Sequence, residues 1–147
     1  MRLDKAAIAA LIPHAGSMCL LDEVTSWDST RVSAASRTHR DEDNPLRAGG
    51  RLSTLSAIEY AAQAMAVHGA LVGAVSARPS AGYLVSVRNV VCHAPRVDHL
   101  AGDLLIEAEQ KMADGKHVMY AFSLSIGAAP VLTGTATVVL DLGEATR

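Results

Sequence analysis

Ser56, Glu59 and Gln63 lie three and four residues apart in a stretch that is otherwise almost wholly apolar, TLSAIEYAAQAMAVHGALV (54–72). Those spacings bring side chains onto one face of a helix, so the three residues form a narrow polar stripe. The neighbours of Glu59 at i−4, i−1, i+2 and i+3 are Leu55, Ile58, Ala61 and Ala62. Burying a carboxylate among them costs free energy unless the charge is paired or used. A carboxyl group in apolar surroundings is also held more readily in its neutral, proton-donating form, which suits a general acid. The plainer alternative is that Glu59 pairs with an arginine such as Arg47, Arg51 or Arg88, and the stripe alone leaves both readings open.

The other groups capable of chemistry give weaker signals. His68 follows Glu59 by nine residues, two and a half helical turns, so it belongs on roughly the opposite face as a core or interface residue. His93 and His99 flank Pro95 with no Cys or acidic residue at ligand spacing, so no metal site is expected. Cys19 and Cys92 sit in hydrophobic segments without CxxC spacing, which suggests neither zinc nor a disulfide framework and points to a reducing cytoplasm. The Met and Val residues of the helical stretch read as core, and no cofactor is implied.

The elements that must position the stripe follow from periodicity and punctuation. Residues 4–11 suit a short helical turn, 18–27 a first strand and 31–39 a second, half-exposed one. A polar segment with Asn44-Pro45 and Gly49-Gly50 as turn punctuation leads to Ser53 or Thr54, either of which could cap a helix from Leu55 to about Val72. A helix apolar on nearly every face is normally buried on every face. Four further strands follow, YLVSVRNVVCHA, GDLLIEAEQKM, HVMYAFSLSIG and PVLTGTATVVLDL, with a hairpin turn at 113–116. The clearest sets Val118, Tyr120, Phe122, Leu124 and Ile126 on one face against Met119, Ala121, Ser123 and Ser125 on the other. Two strands, a buried helix and an antiparallel meander of four describe an α+β hotdog fold, a curled sheet wrapped round one long central helix. One sheet leaves edges and part of the helix uncovered, so a dimer completes it.

Composition narrows the function classes. With 147 residues the chain has the size of a single domain, 1–147. No apolar run reaches the length of a membrane span, because Glu59, Gln63 and His68 interrupt the longest. The first sixteen residues make a poor signal peptide. A net charge of −2 without charge blocks, and only five aromatic residues, argue against a nucleic-acid partner.

Two segments carry a resemblance. IPHAGSMCLLDEV (12–24) is similar to the opening Pro-His and Leu-Asp-x-Val signature of the β-hydroxyacyl-acyl carrier protein dehydratases, and IEYAAQA (58–64) resembles their central-helix Glu-x-x-x-Gln segment. HRDEDNPLRAGGRL and IEYAAQAMAVHGAL further resemble the sub-branch found with aryl-polyene synthesis. The resemblance implies a hotdog dehydratase acting on an acyl thioester of an acyl carrier protein, with a site shared between subunits. In that family a loop histidine precedes the helix glutamate by fourteen residues. Here that position is Pro45, beside Asn44, and the nearest histidine is His39.

Two readings follow from this departure. In one, His39 is the base that removes the α-proton and Glu59 protonates the departing β-hydroxyl. Gln63 and Asn44 then hold the acid or substrate, and a backbone N–H near the helix start or the Gly49-Gly50 turn polarises the carbonyl. In the other, the chain is a non-catalytic partner subunit that keeps the fold, the helix and the acyl tunnel but has lost the base, and completes a paralogue's site. A thioesterase that activates water through Glu59 is a third possibility. His14 reads as structural or at the pocket rim. Arg37, Arg40, Arg47 and Arg51 form either a solvated face or a receiver for the phosphopantetheine phosphate and an acidic carrier protein.

Overall fold

Alternation of apolar and polar residues builds the sheet. In this computed structural model, which describes residues 2–12, 18–75 and 81–141, the strands are β1 (Leu3–Asp4), β2 (Glu23–Trp27), β3 (Arg31–Ser36), β4 (Ala81–Cys92), β5 (Leu104–Asp114), β6 (His117–Ile126) and β7 (Ala129–Asp141). The helices are α1 (Lys5–Leu11) and α2 (Ile58–Val75). All seven strands form one antiparallel sheet in the order β1-β2-β3-β5-β6-β7-β4. Val118, Tyr120, Phe122 and Leu124 of β6 are buried, as the alternation predicts, with Leu104, Ile106 and Ala108 of β5 and Leu132, Ala136 and Val138 of β7. They form one core with Tyr60, Ala61, Ala64, Met65 and Val67 of α2, and His68 meets Tyr120 edge to face. Register shifts interrupt β2–β3, β4–β7, β5–β6 and β6–β7, and such bulges add the twist that curls a sheet round a helix. The architecture is the hotdog fold.

The expected meander of four strands needs correction. Only β5, β6 and β7 form a meander; β4 crosses to the far side of β7 and ends the sheet. The helix occupies the concave side, and the segment after β4 must travel back past its first turn before β5 begins. That segment is built into the structure: Val97 N donates to Leu52 O at 2.9 Å, Thr54 N to Pro95 O at 3.2 Å, and Leu52 N to Asp98 Oδ1 at 2.9 Å. Arg96 clasps the same carboxylate at 3.0 and 2.5 Å and holds it well below the usual carboxylate range.

Three boundaries also move. The expected strand 18–27 is regular only from Glu23, and His39 lies in a 3-10 turn, Thr38–Arg40, rather than at a strand end. The helix is preceded by tight turns over 54–57, with Ser53 Oγ accepting from Leu55 N at 3.2 Å. Gly134 of β7 faces Phe122 of β6 so closely that a Cβ would lie 2.8 Å from the ring tip. Trp27 ends β2 half-buried, its indole N–H enclosed without a partner.

Candidate active site

Glu59 occupies the first turn of α2 and is half-buried. Gln63, one turn further on, is 1% exposed, and its amide orientation is dictated by backbone groups. Leu20 N, which can only donate, gives its hydrogen to Gln63 Oε1 at 2.9 Å, so Nε2 must be the atom that donates to Met18 O at 2.7 Å. The remaining hydrogen of Nε2 reaches Glu59 Oε2 at 3.4 Å. Glu59 and Gln63 therefore share a face, as the three- and four-residue spacing predicts, and segment 18–20 lies against them.

The loop ahead of the helix is anchored through Tyr60, a residue the sequence reading passed over. Asn44 is buried; its Nδ2 donates to Thr38 O at 2.8 Å and to the Tyr60 hydroxyl at 3.0 Å, while Oδ1 accepts from Leu46 N at 2.8 Å. Both amide hydrogens of Asn44 are thus engaged within the protein. The Tyr60 hydroxyl lies 2.7 Å from Thr38 Oγ1, and the hydroxyls of Ser36 and Thr38 both reach Leu20 O, at 2.6 and 2.8 Å. A hollow of about 300 Å³ opens beside this network, bordered by Lys5, Cys19, Thr38 and Asn44. One signal could have found Tyr60: it is the single phenol in a helix made mostly of small residues.

His39 belongs to a different cluster. Its ring is 0% exposed, with Nε2 3.0 Å from the carbonyl of Leu100. A carbonyl only accepts, so Nε2 carries the hydrogen and Nδ1 is the basic nitrogen, enclosed without a partner. Burial pushes this imidazole below its ordinary value. His68 is equally buried, with Nε2 donating to Asp28 O at 2.9 Å and Nδ1 accepting from the Tyr120 hydroxyl at 2.7 Å. Burial lowers His68 and pushes Tyr120 up to about 12. His68 is a core residue, as the nine-residue offset predicts.

The remaining candidates lie at the surface or nearby. Gly49 and Gly50, with φ of 60° and 76°, form the exposed tip of a turn closed by reciprocal bonds between Ala48 and Arg51. Both occupy left-handed conformations that favour glycine. Arg47 bends back to donate to Gly50 O at 3.1 Å, whereas Arg37, Arg40 and Arg51 are exposed. His14 lies outside the described residues, as does the Pro-His of the opening motif.

Comparison with known proteins agrees with this architecture. The ApeP-like family model, described as ApeP dehydratase, matches residues 6–144. A chain of the dehydratase heterocomplex ApeI:P from Xenorhabdus doucetiae superposes with a TM-score of 0.80 at 25% identity, over 91% of this chain and 90% of that one. A mutant thioesterase from Pseudomonas aeruginosa gives a TM-score of 0.67 at 15% identity, covering 94% of each chain. A thioesterase from Haemophilus influenzae gives 0.68 at 11% identity, over 99% of this chain and 96% of that one. The two thioesterases share the fold alone. No curated protein sequence matches the chain.

Proposed function

The chain belongs to the ApeP-like dehydratase family and is a lyase of the hotdog fold, and from that premise we propose that it contributes Glu59 as proton donor to a dehydration site completed by a related hotdog subunit. The substrate is a β-hydroxyacyl thioester on the phosphopantetheine arm of an acyl carrier protein, in fatty-acid-like or polyene synthesis. A base takes the α-proton, that electron pair becomes the new Cα–Cβ bond, and the β-hydroxyl leaves as water with the proton of Glu59.

The contrast between the two expected catalytic residues carries this reading. Glu59 is half-buried with an amide donor set against one oxygen, whereas the only basic nitrogen of His39 is enclosed in the interior. For His39 to act as base, its enclosed Nδ1 would have to be opened to the substrate. A base from a second subunit needs no such opening. β4 supports the pairing, since a twelve-residue strand at the end of a sheet offers its outer edge as a template for another strand. The dehydratase heterocomplex among the structural relatives favours an unlike partner over a second copy. The exposed Arg37, Arg40 and Arg51 suit the acidic surface of a carrier protein, with Arg47 and the Gly49-Gly50 turn bordering the arm.

Dehydration of β-hydroxybutyryl-pantetheine by the chain, alone and co-purified with the related subunit, tests this proposal. The pair should form enoyl product, and Glu59→Gln should lower its rate by about 100-fold or more. His39→Gln should leave the kcat of the folded pair near wild type. Turnover by the chain alone that vanishes in the His39 variant would instead make His39 the base of a homodimer. Release of free thiol without enoyl product would identify a thioesterase.

A further inference from the structure

Tyr60 follows Glu59 in α2 but lies about 100° round the helix. It is fully buried, and burial keeps its phenol protonated by raising it above the ordinary value. The hydroxyls of Tyr60, Thr38 and Ser36 form a connected group, with Ser36 Oγ 2.8 Å from Thr38 Oγ1. Asn44 Nδ2 can only donate to the phenol, which leaves the phenol's own hydrogen available to Thr38 Oγ1 at 2.7 Å. The hydroxyl of Thr38 then donates to Leu20 O, joined there by the hydroxyl of Ser36. On the other side of the same residue, Leu20 N donates to Gln63 Oε1, and Gln63 Nε2 donates to Glu59 Oε2. One chain of hydrogen bonds thus runs from Asn44 through Tyr60, Thr38, both backbone groups of Leu20 and Gln63 to the carboxyl of Glu59.

We propose that Tyr60 is a positioning residue for the dehydration: by fixing Thr38 and so Leu20, it keeps a Gln63 N–H on Glu59 Oε2. The proposal rests on the reading of Glu59 as the acid. The Gln63 N–H thereby helps to orient the Glu59 carboxyl group. Loss of the phenol hydroxyl removes one of the contacts that orient Thr38 on Leu20 O, beside those of Ser36, and the shift passes through Leu20 N to the Gln63 amide, so misorientation reaches Glu59 without any change in the groups that touch substrate.

The test uses the full chain with its related subunit and β-hydroxybutyryl-pantetheine. Tyr60→Phe, which keeps the ring and removes one oxygen, should lower kcat by about ten- to a hundred-fold with KM within about two-fold. Thr38→Val should reproduce that loss, Thr38→Ser should restore the rate, and Tyr60→Phe combined with Thr38→Val should be no worse than the poorer single variant, because the two act in series. If Tyr60→Phe does not fold, the Thr38→Val and Thr38→Ser pair carries the test. Wild-type kcat in whichever of Tyr60→Phe and Thr38→Val folds, a loss that falls in KM, or losses that multiply would each overturn the proposal. Glu59→Gln separates the two levels. Retained activity there removes the acid assignment itself, whereas an inactive Glu59→Gln beside a fully active Tyr60→Phe removes only the positioning role.

Discussion

At the scale of single residues, the polar groups of the interior are specified by what each partner can and cannot do. Gln63 has no freedom to turn over, since Leu20 offers only a donor and Met18 only an acceptor. The two buried imidazoles are specified in the same way, each with Nε2 on a backbone carbonyl. Burial lowers both below the ordinary value, and this ties the stability of the fold to pH on the acid side. An unfolded chain takes up a proton on each ring near the ordinary value of 6.5, while the folded chain refuses it until lower pH. Stability is therefore intact above that value and falls as pH drops below it, by about 1.4 kcal/mol per pH unit for each ring until the lowered folded value is reached. Urea midpoints measured from about pH 7.5 down to about pH 5 should show this decline, and His68→Gln should remove one ring's share of the slope. A flat profile in the wild type would show that the rings accept protons in place.

At the scale of elements, the alternating strands were legible because one face of each is apolar and the other polar; β6 is the plainest case, with Val118, Tyr120, Phe122 and Leu124 inward. The stripe of Glu59 and Gln63 was legible for a similar reason, since helical period is a local property. The brace on the helix start was not. Asp98 and Leu52 are 46 residues apart, and nothing near either one announces the bond between them. The same holds for Ser36, Thr38, Asn44 and Tyr60, whose polar groups meet only after β3, the following loop and α2 are in place. Gly134 is another position read only from packing. A methyl group there meets the Phe122 ring tip at 2.8 Å and the Arg88 carbonyl oxygen at 3.3 Å. Gly134→Ala should cost about 1–3 kcal/mol in thermal denaturation, and adding Phe122→Leu, which withdraws the ring tip, should make the pair less costly than the sum of its parts.

At the scale of the whole molecule, the position of β4 decides what the chain can join. A simple meander would have placed this strand inside the sheet; its crossing to the far side of β7 leaves it at the end, directly after the helix in sequence. Val91, near its end, is 49% exposed, a large hydrophobic residue on an edge strand. If β4 carries the pairing, Val91→Lys should convert a dimer to a monomer by light scattering while leaving the melting of the single subunit little changed, and an unaltered mass would place the interface elsewhere. The chain also holds a means of following these events without a label. Trp27 is the single tryptophan, and it adjoins Asp28, whose carbonyl receives the hydrogen of His68. Its half-buried indole ties one emission spectrum to the junction between the β2–β3 turn and the middle of α2. Tryptophan fluorescence during an acid titration thus reports on the surroundings of this junction.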